Sequence, residues 1–285
     1  MNFNNIEVCF HLHADLKSTH VNTKSRIKSV LESERLDPSI TGIKSFDLSN
    51  LKVNSDLDFE LPTHVRLGHL VEKIVSECIR ASSDFQVLHE NLQLIEDKKT
   101  IGELDFILQD ARSKEIIHLE LAYKFYLYDR SISTDPIKNW IGPNRNDSLY
   151  LKLRKLKEKQ FPLLHHSQLK SMLVDLEIDN ISQALCFLVS LFMPFEHKLN
   201  LSPEYEKAVK GYYLNHKTFA DQDHSKKWYH LPEKKEWGID PADNNDWSSY
   251  ADIEKQLTMS MNEKQSRLCW EKHRDSYTSF FIVWW

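Results

Sequence analysis

The sequence predicts an α/β (α+β) protein in which a central mixed sheet is flanked by helices and followed by a mainly helical, aromatic-rich C-terminal extension. Three observations carry this expectation. Residues 65–79 repeat apolar side chains at helical spacing, and residues 101–126 alternate apolar and polar side chains on either side of a short polar break. After residue 168 the chain falls into apolar clusters with many aromatic residues.

Taken in order, residues 1–60 are polar throughout, with only Ile27–Leu31 and Ile40–Leu51 hinting at structure, and read as a loosely packed lead-in. Pro62 closes it. Residues 61–285 then read as a single unit with a core at about 65–160. Val65, Leu67, Leu70, Val71, Ile74, Val75, Cys78 and Ile79 line one face of an amphipathic helix, with Glu72 at the margin of that stripe. Phe85–Ile95 is rich in strand formers, and Glu96–Thr100 supplies a turn.

Next come IGELDFIL, the break Gln109–Lys114 and EIIHLELAYKFY, which form a hairpin. In its second strand Ile117, Leu119, Leu121 and Tyr123 face one way, and Ile116, His118, Glu120, Ala122 and Lys124 the other. Tyr128–Pro143 is a long loop with turn signals at Asp135-Pro136 and Gly142-Pro143 and Trp140 as an anchor. Asp147 or Ser148 caps a helix over Leu149–Gln160. Leu169–Leu176 and Ile181–Phe192 read as helices, the second stopped by Pro194, and the closing SFFIVWW reads as a strand added at a sheet edge.

Composition excludes several classes. A net charge of −5 over 285 residues rules out a generally basic nucleic-acid coat, so any nucleic-acid contact must be local. The longest apolar run, Ala184–Phe195, is interrupted by Ser190 and closed by Pro194, too short for a membrane span. The first seventeen residues lack the pattern of a secretory leader. Cys9, Cys78, Cys186 and Cys269 form no CxxC pair, which argues against a zinc knuckle or a disulfide framework and for a cytoplasmic setting. His11 with His13 and His165 with His166 lack acidic or cysteine partners at ligand spacing. No glycine-rich phosphate loop, GxSxG elbow or HExxH helix is present.

The chemistry lies in the hairpin. Centred between Arg112 and Ser113, it sets Asp105 opposite Glu120, with Cβ atoms roughly 4.5–5.5 Å apart. Carboxylates that close are reconciled by a divalent cation or a shared proton. Mg2+ or Mn2+ held by Asp105 and Glu120, with Lys124 reaching back along the strand to orient water or stabilise phosphate charge, makes a phosphodiesterase site. Lys152, Lys155 and Lys159 on the following helix are candidate nucleic-acid contacts. Two other readings remain: a catalytically inactive fold serving as a nucleic-acid-binding or protein-interaction module, or a plain sheet-face ion pair of Lys124 with Glu120 beside a solvated Asp105.

The positions Glu72, Asp105 in GELDFIL, and Glu120 with Lys124 in HLELAYKF resemble the motif of the PD-(D/E)XK nuclease superfamily. That resemblance implies a restriction-endonuclease-like core and a catalytic set of Glu72, Asp105, Glu120 and Lys124, with Glu72 in a second-metal or water-mediated role. The usual pattern has lysine two residues after the second acid, where this chain has Ala122. A closer likeness, over about residues 65–285, rests on GELDFIL, HLELAYKFYL, WIGPNRNDSLYLKL, YHLPEKKEWGIDP and RDSYTSFFIVWW. By these segments the sequence resembles the bacterial family DUF1853.

Overall fold

The computed structural model describes residues 23–53, 57, 59–62, 64–196 and 201–285. The expectations about a secretory leader, about His11 and His13 and about Cys9 lie outside the described residues.

Helices α1 (Thr23–Leu31), α2 (Pro38–Thr41) and α3 (Leu67–Ala81) precede strands β1 (Phe85–Glu96), β2 (Lys99–Asp110) and β3 (Ile116–Tyr128). A short β4 (Trp140–Ile141), α4 (Leu149–Lys155) and α5 (Ser167–Met172) follow. The remainder is β5 (Ser182–Pro194), α6 (Pro203–Glu206), β6 (Val209–Asn215), α7 (His216–Ala220), β7 (Lys227–His230), α8 (Tyr250–Asn262), β8 (Arg267–His273) and β9 (Ser276–Val283). The strands form one nine-stranded mixed sheet in the order β1-β2-β3-β5-β6-β9-β8-β7, with β4 against β3. The pairs β3/β5, β5/β6 and β6/β9 are parallel, and the flanking pairs are antiparallel.

The period-two pattern of β3 sorts its side chains between two layers. Ile117, Leu119 and Leu121 pack with the apolar stripe of α3 and with Ile27 and Val30 of α1 on one face. Ala122 and Tyr126 pack on the other face against Leu149, Leu153 and Leu156, around the fully buried Trp140. Each Leu or Ile taken out of water in these layers contributes about 1.5–3 kcal/mol.

Four expectations are corrected. Ile181–Phe192 is not a helix but most of β5, which lies parallel to β3 from Ile117 opposite Ser182 to Leu127 opposite Phe192. A parallel strand covered on both faces has no polar side to alternate with, so its apolar run carries no readable period. The extension is not mainly helical, because it adds β6 to β9 to the same sheet. The terminal strand β9 is not an edge: it sits between β6 and β8.

The described part of the lead-in is not loose either. β6 pairs with β5 only from Leu191 onward, which leaves the preceding stretch of β5 without a strand neighbour on that side. The lead-in supplies the partners: Leu36 N–H donates to Phe187 O (2.9 Å), Phe46 N–H to Leu185 O (3.0 Å), Leu185 N–H to Lys44 O (2.8 Å) and Val189 N–H to Glu34 O (2.9 Å). Buried backbone groups require such partners, and a polar segment can provide them as well as an apolar one.

Helix α1 also carries the wholly buried Arg26, whose Nη2 donates to the carbonyl oxygens of Trp237 (2.6 Å) and Glu236 (3.4 Å). This fastens a 3-10 turn at Lys234–Glu236 to the core. Gly238, just beyond the turn, has φ +91°, and a Cβ there would overlap the Tyr123 hydroxyl. Gly238→Ala should therefore cost on the order of 2 kcal/mol or more. Urea unfolding checks this, and an unchanged midpoint would contradict it.

Candidate functional site

The β2–β3 ladder runs from Gln109 opposite Ile116 to Phe106 opposite Leu119, the register expected from a hairpin centred between Arg112 and Ser113. It stops one pair short of Asp105 and Glu120. From there β2 continues along β1, and Asp105 takes over the role of a ladder partner: its Oδ2 accepts the Leu121 N–H at 2.7 Å. The strands thus part at the two acids. Asp105 is half-buried and Glu120 has no exposed surface.

Glu120 is clamped from two sides. His118, on the same face of β3, lies with Nε2 at 2.9 Å from Oε1, and Gln160 Nε2 donates to Oε2 at 2.6 Å. Burial pulls the His118 imidazole down to about 4, so the ring is neutral at physiological pH and bonds Glu120 through Nε2. Lys152 Nζ donates to Gln160 Oε1 at 3.2 Å, which completes a chain from ammonium through amide to carboxylate.

This chain depends on an irregularity in the helix. Residues 152 and 160 stand about 80° apart around a regular α-helix. Here Leu156–Gln160 forms a π turn after α4, whose extra residue brings Gln160 back toward the line of Lys152.

The electrostatics follow from burial and proximity. Desolvation raises Glu120 to about 7, against the opposing pull of Lys152 and Lys155. Desolvation, then repulsion from Glu120, pushes Asp105 well above the usual carboxylate range; the Leu121 N–H acts the other way, and Glu72 adds to the rise. Burial lowers the Lys152 ammonium, while Asp105 and Glu120 oppose that and Lys124 reinforces it.

Asp105 and Glu120 are brought together, and Lys152 is linked to Glu120 through Gln160. Glu72 stands apart, with its Oε2 bonded to His69 Nδ1 at 2.9 Å, and acts on Asp105 only through its charge. Lys124 does not pair with Glu120. Its ammonium is bound to Asp147 Oδ2 at 2.9 Å, because the loop before α4 delivers that carboxylate to the same face. The expected sheet-face pair is therefore absent, and Asp105 is not a solvated strand end. Lys152, expected on a nucleic-acid face with Lys155 and Lys159, turns toward the acids, while Lys155 and Lys159 are exposed. His118 and Gln160 were not foreseen. The HLEL alternation carried a signal for the first; the second depends on the π turn and has none.

From Leu121 onward β3 borders an open cleft of about 670 Å3, bounded by the start of α3, residues 121–125 of β3, Asp147, Lys152 and the Lys234–Glu236 turn; Glu72 lines it, while Asp105 and Glu120 lie behind its wall. Among the described residues no helix is long and apolar enough to cross a membrane. His166 pairs with Glu96 at 3.1 Å, and His165 lies 4.0 Å from Asp179; neither belongs to the cleft.

A family model described as a domain of unknown function, DUF1853, matches residues 11–278. The chain belongs to the DUF1853 family. No curated protein and no solved structure matches this DUF1853 chain.

Among the described residues no three His, Cys, Asp or Glu side chains converge as a metal-binding group, which disfavours a closed, all-protein site of the zinc type. Mg2+ makes a smaller demand, one or two carboxylates with water and substrate phosphate completing the shell. Asp105 and Glu120 are the two acids that could answer that demand; Asp105 already holds the Leu121 N–H through Oδ2, and the unexposed Glu120 has His118 on Oε1 and Gln160 on Oε2.

The raised Glu120 has a measurable consequence. Without metal, the folded state keeps this proton up to about pH 7, whereas the ordinary carboxyl value is 4.5. Between those values the native state binds more protons than the unfolded chain, so this group lowers stability as pH rises through the window. Glu120→Gln should therefore gain thermal stability over the wild type progressively from about pH 4.5 to pH 7 in EDTA. A melting-temperature difference that does not change with pH would contradict the assignment.

Proposed function

We propose that this DUF1853 protein is a metal-dependent phosphodiesterase acting on DNA or RNA, with a nuclease-like active site at the parting of β2 and β3. The observation that carries this reading is the Asp105–Glu120 pair, two mutually repelling, desolvated carboxylates at the end of a ladder, beside a desolvated lysine and an open cleft. The succession α3, β1, β2, β3 and α4 supports a restriction-endonuclease-like core of the PD-(D/E)XK kind.

Asp105 and Glu120 are the residues to hold Mg2+ or Mn2+, with Glu72 at their margin. When bound, such an ion polarises a phosphoryl oxygen and makes water a better nucleophile. The protein's own groups do the rest. The Leu121 N–H fixes the Asp105 carboxylate, and His118 and Gln160 fix that of Glu120. Lys152, steered by Gln160, places a poorly solvated ammonium where charge builds up on the attacked phosphate. Lys152 thus takes the part the sequence pattern suggests for Lys124, and Lys124, held by Asp147, is left to contact the strand.

Purified protein should cleave labelled oligonucleotides in Mg2+ or Mn2+ and not in EDTA. Asp105→Asn and Lys152→Met should each slow cleavage about 100-fold or more, and Lys124→Met about ten-fold or less. Strand binding without cleavage in either metal would replace this reading with a nuclease fold that binds nucleic acid and no longer cuts it.

A further inference from the structure

The cleft has a second wall that the catalytic reading does not use. Opposite β3 and the start of α3 stands the Lys234–Glu236 turn, which contributes Lys234, Lys235 and, just beyond, Trp237. The turn is far from the acids in sequence and is held in place by the core. Besides Arg26, the Tyr123 hydroxyl donates to the Trp237 carbonyl at 3.3 Å, and the Trp237 ring packs edge-on to Phe125 at 5.3 Å.

Charge in this cleft runs against the charge of the whole chain. The protein carries −5 overall, yet Lys and Arg outnumber the acids lining the cleft by five to two. Asp147 is paired with Lys124 and Lys235 with Glu233 at 3.2 Å, which leaves Arg66, Lys152 and Lys234 facing Glu72, the one remaining acid of the lining, itself hydrogen-bonded to His69. A cationic concavity on an acidic protein is the footprint of a polyanion ligand.

The lining selects among polyanions. It offers rings: the half-buried Tyr123 and Trp237 line the cleft among the cations, with the buried Phe125 packed behind Trp237. Rings between phosphate-binding cations are what an unpaired strand uses, its bases against the aromatic surface and its backbone on the lysines.

We infer that the cleft binds single-stranded nucleic acid, with Lys234 and Lys235 gripping the backbone from the wall formed by their turn. The inference rests on the phosphodiesterase reading of this cleft and narrows its substrate to an unpaired strand. Lys234 is exposed and Lys235 half-buried, so both can be replaced without opening the core.

The test uses the full chain in EDTA, with a fluorescein-labelled oligothymidylate and the same strand annealed to oligoadenylate, followed by anisotropy across salt concentrations. The single strand should bind more tightly than the duplex. The double variant Lys234→Gln, Lys235→Gln should bind the strand about ten-fold more weakly, with a salt slope shallower by about 1.4, the share of two phosphate contacts. Lys234→Arg with Lys235→Arg should retain both affinity and slope. If the glutamine variant melts early, Arg66→Gln, at an exposed residue of the cleft mouth, should still lower the slope by about 0.7. Equal or tighter duplex binding, or an unchanged slope in folded variants, overturns the inference. Metal-dependent cutting with a duplex preference would overturn it and leave the phosphodiesterase reading standing; strand binding in EDTA without cutting in metal would do the reverse.

Discussion

A carboxylate with no exposed surface, set in the middle of a sheet, is the constraint around which the neighbouring elements are arranged. Glu120 cannot be left alone there, because an isolated buried charge costs far more than a protein's net stability. The structure answers with two hydrogen-bond partners, His118 and Gln160, and with a proton affinity raised to about 7. Each answer places a demand elsewhere. His118 must stay neutral in its own apolar surroundings, against the edge of Phe161. Gln160 can face the sheet because α4 runs on into a π turn, and the same turn aligns it with Lys152. The departure from helical regularity is thereby accounted for by the group it delivers.

The wider architecture holds this arrangement still. β3 has β5 along nearly its whole length on one side, and on the other its ladder to β2 is released exactly where Asp105 is needed as an acceptor for Leu121. β5 is in turn completed by the polar lead-in rather than by a full-length strand. The same N-terminal segment carries Arg26, whose buried guanidinium positions the turn that forms the far wall of the cleft. Residues separated by some two hundred positions along the chain therefore define one concavity.

Much of this was legible in the sequence, for identifiable reasons. The polar break between two apolar runs is short enough to fix a hairpin centre, and with it the register that opposes Asp105 and Glu120. α3 has one wet face and one dry face, so its period shows. β5 has no wet face and showed none, which is why a helix was expected there. The lysine was misplaced for a different reason. Spacing along a strand says which face Lys124 leaves from but not which carboxylate captures its long side chain, and Asp147 arrives from a loop whose path no local pattern reveals. Lys152 looked like its neighbours Lys155 and Lys159 on a helical wheel, and only the docking of α4 on the sheet separates a half-buried lysine from two exposed ones.

The central claim is that Asp105 and Glu120 are held in tension so that a divalent cation can resolve it. Calorimetric titration with Mn2+ near pH 7, repeated in buffers of different ionisation enthalpy, tests this most directly. The account predicts a saturable site that releases protons as the cation displaces them from the two acids, and that is lost in Asp105→Asn. Saturable binding without proton release, or binding that survives the loss of Asp105, would contradict it.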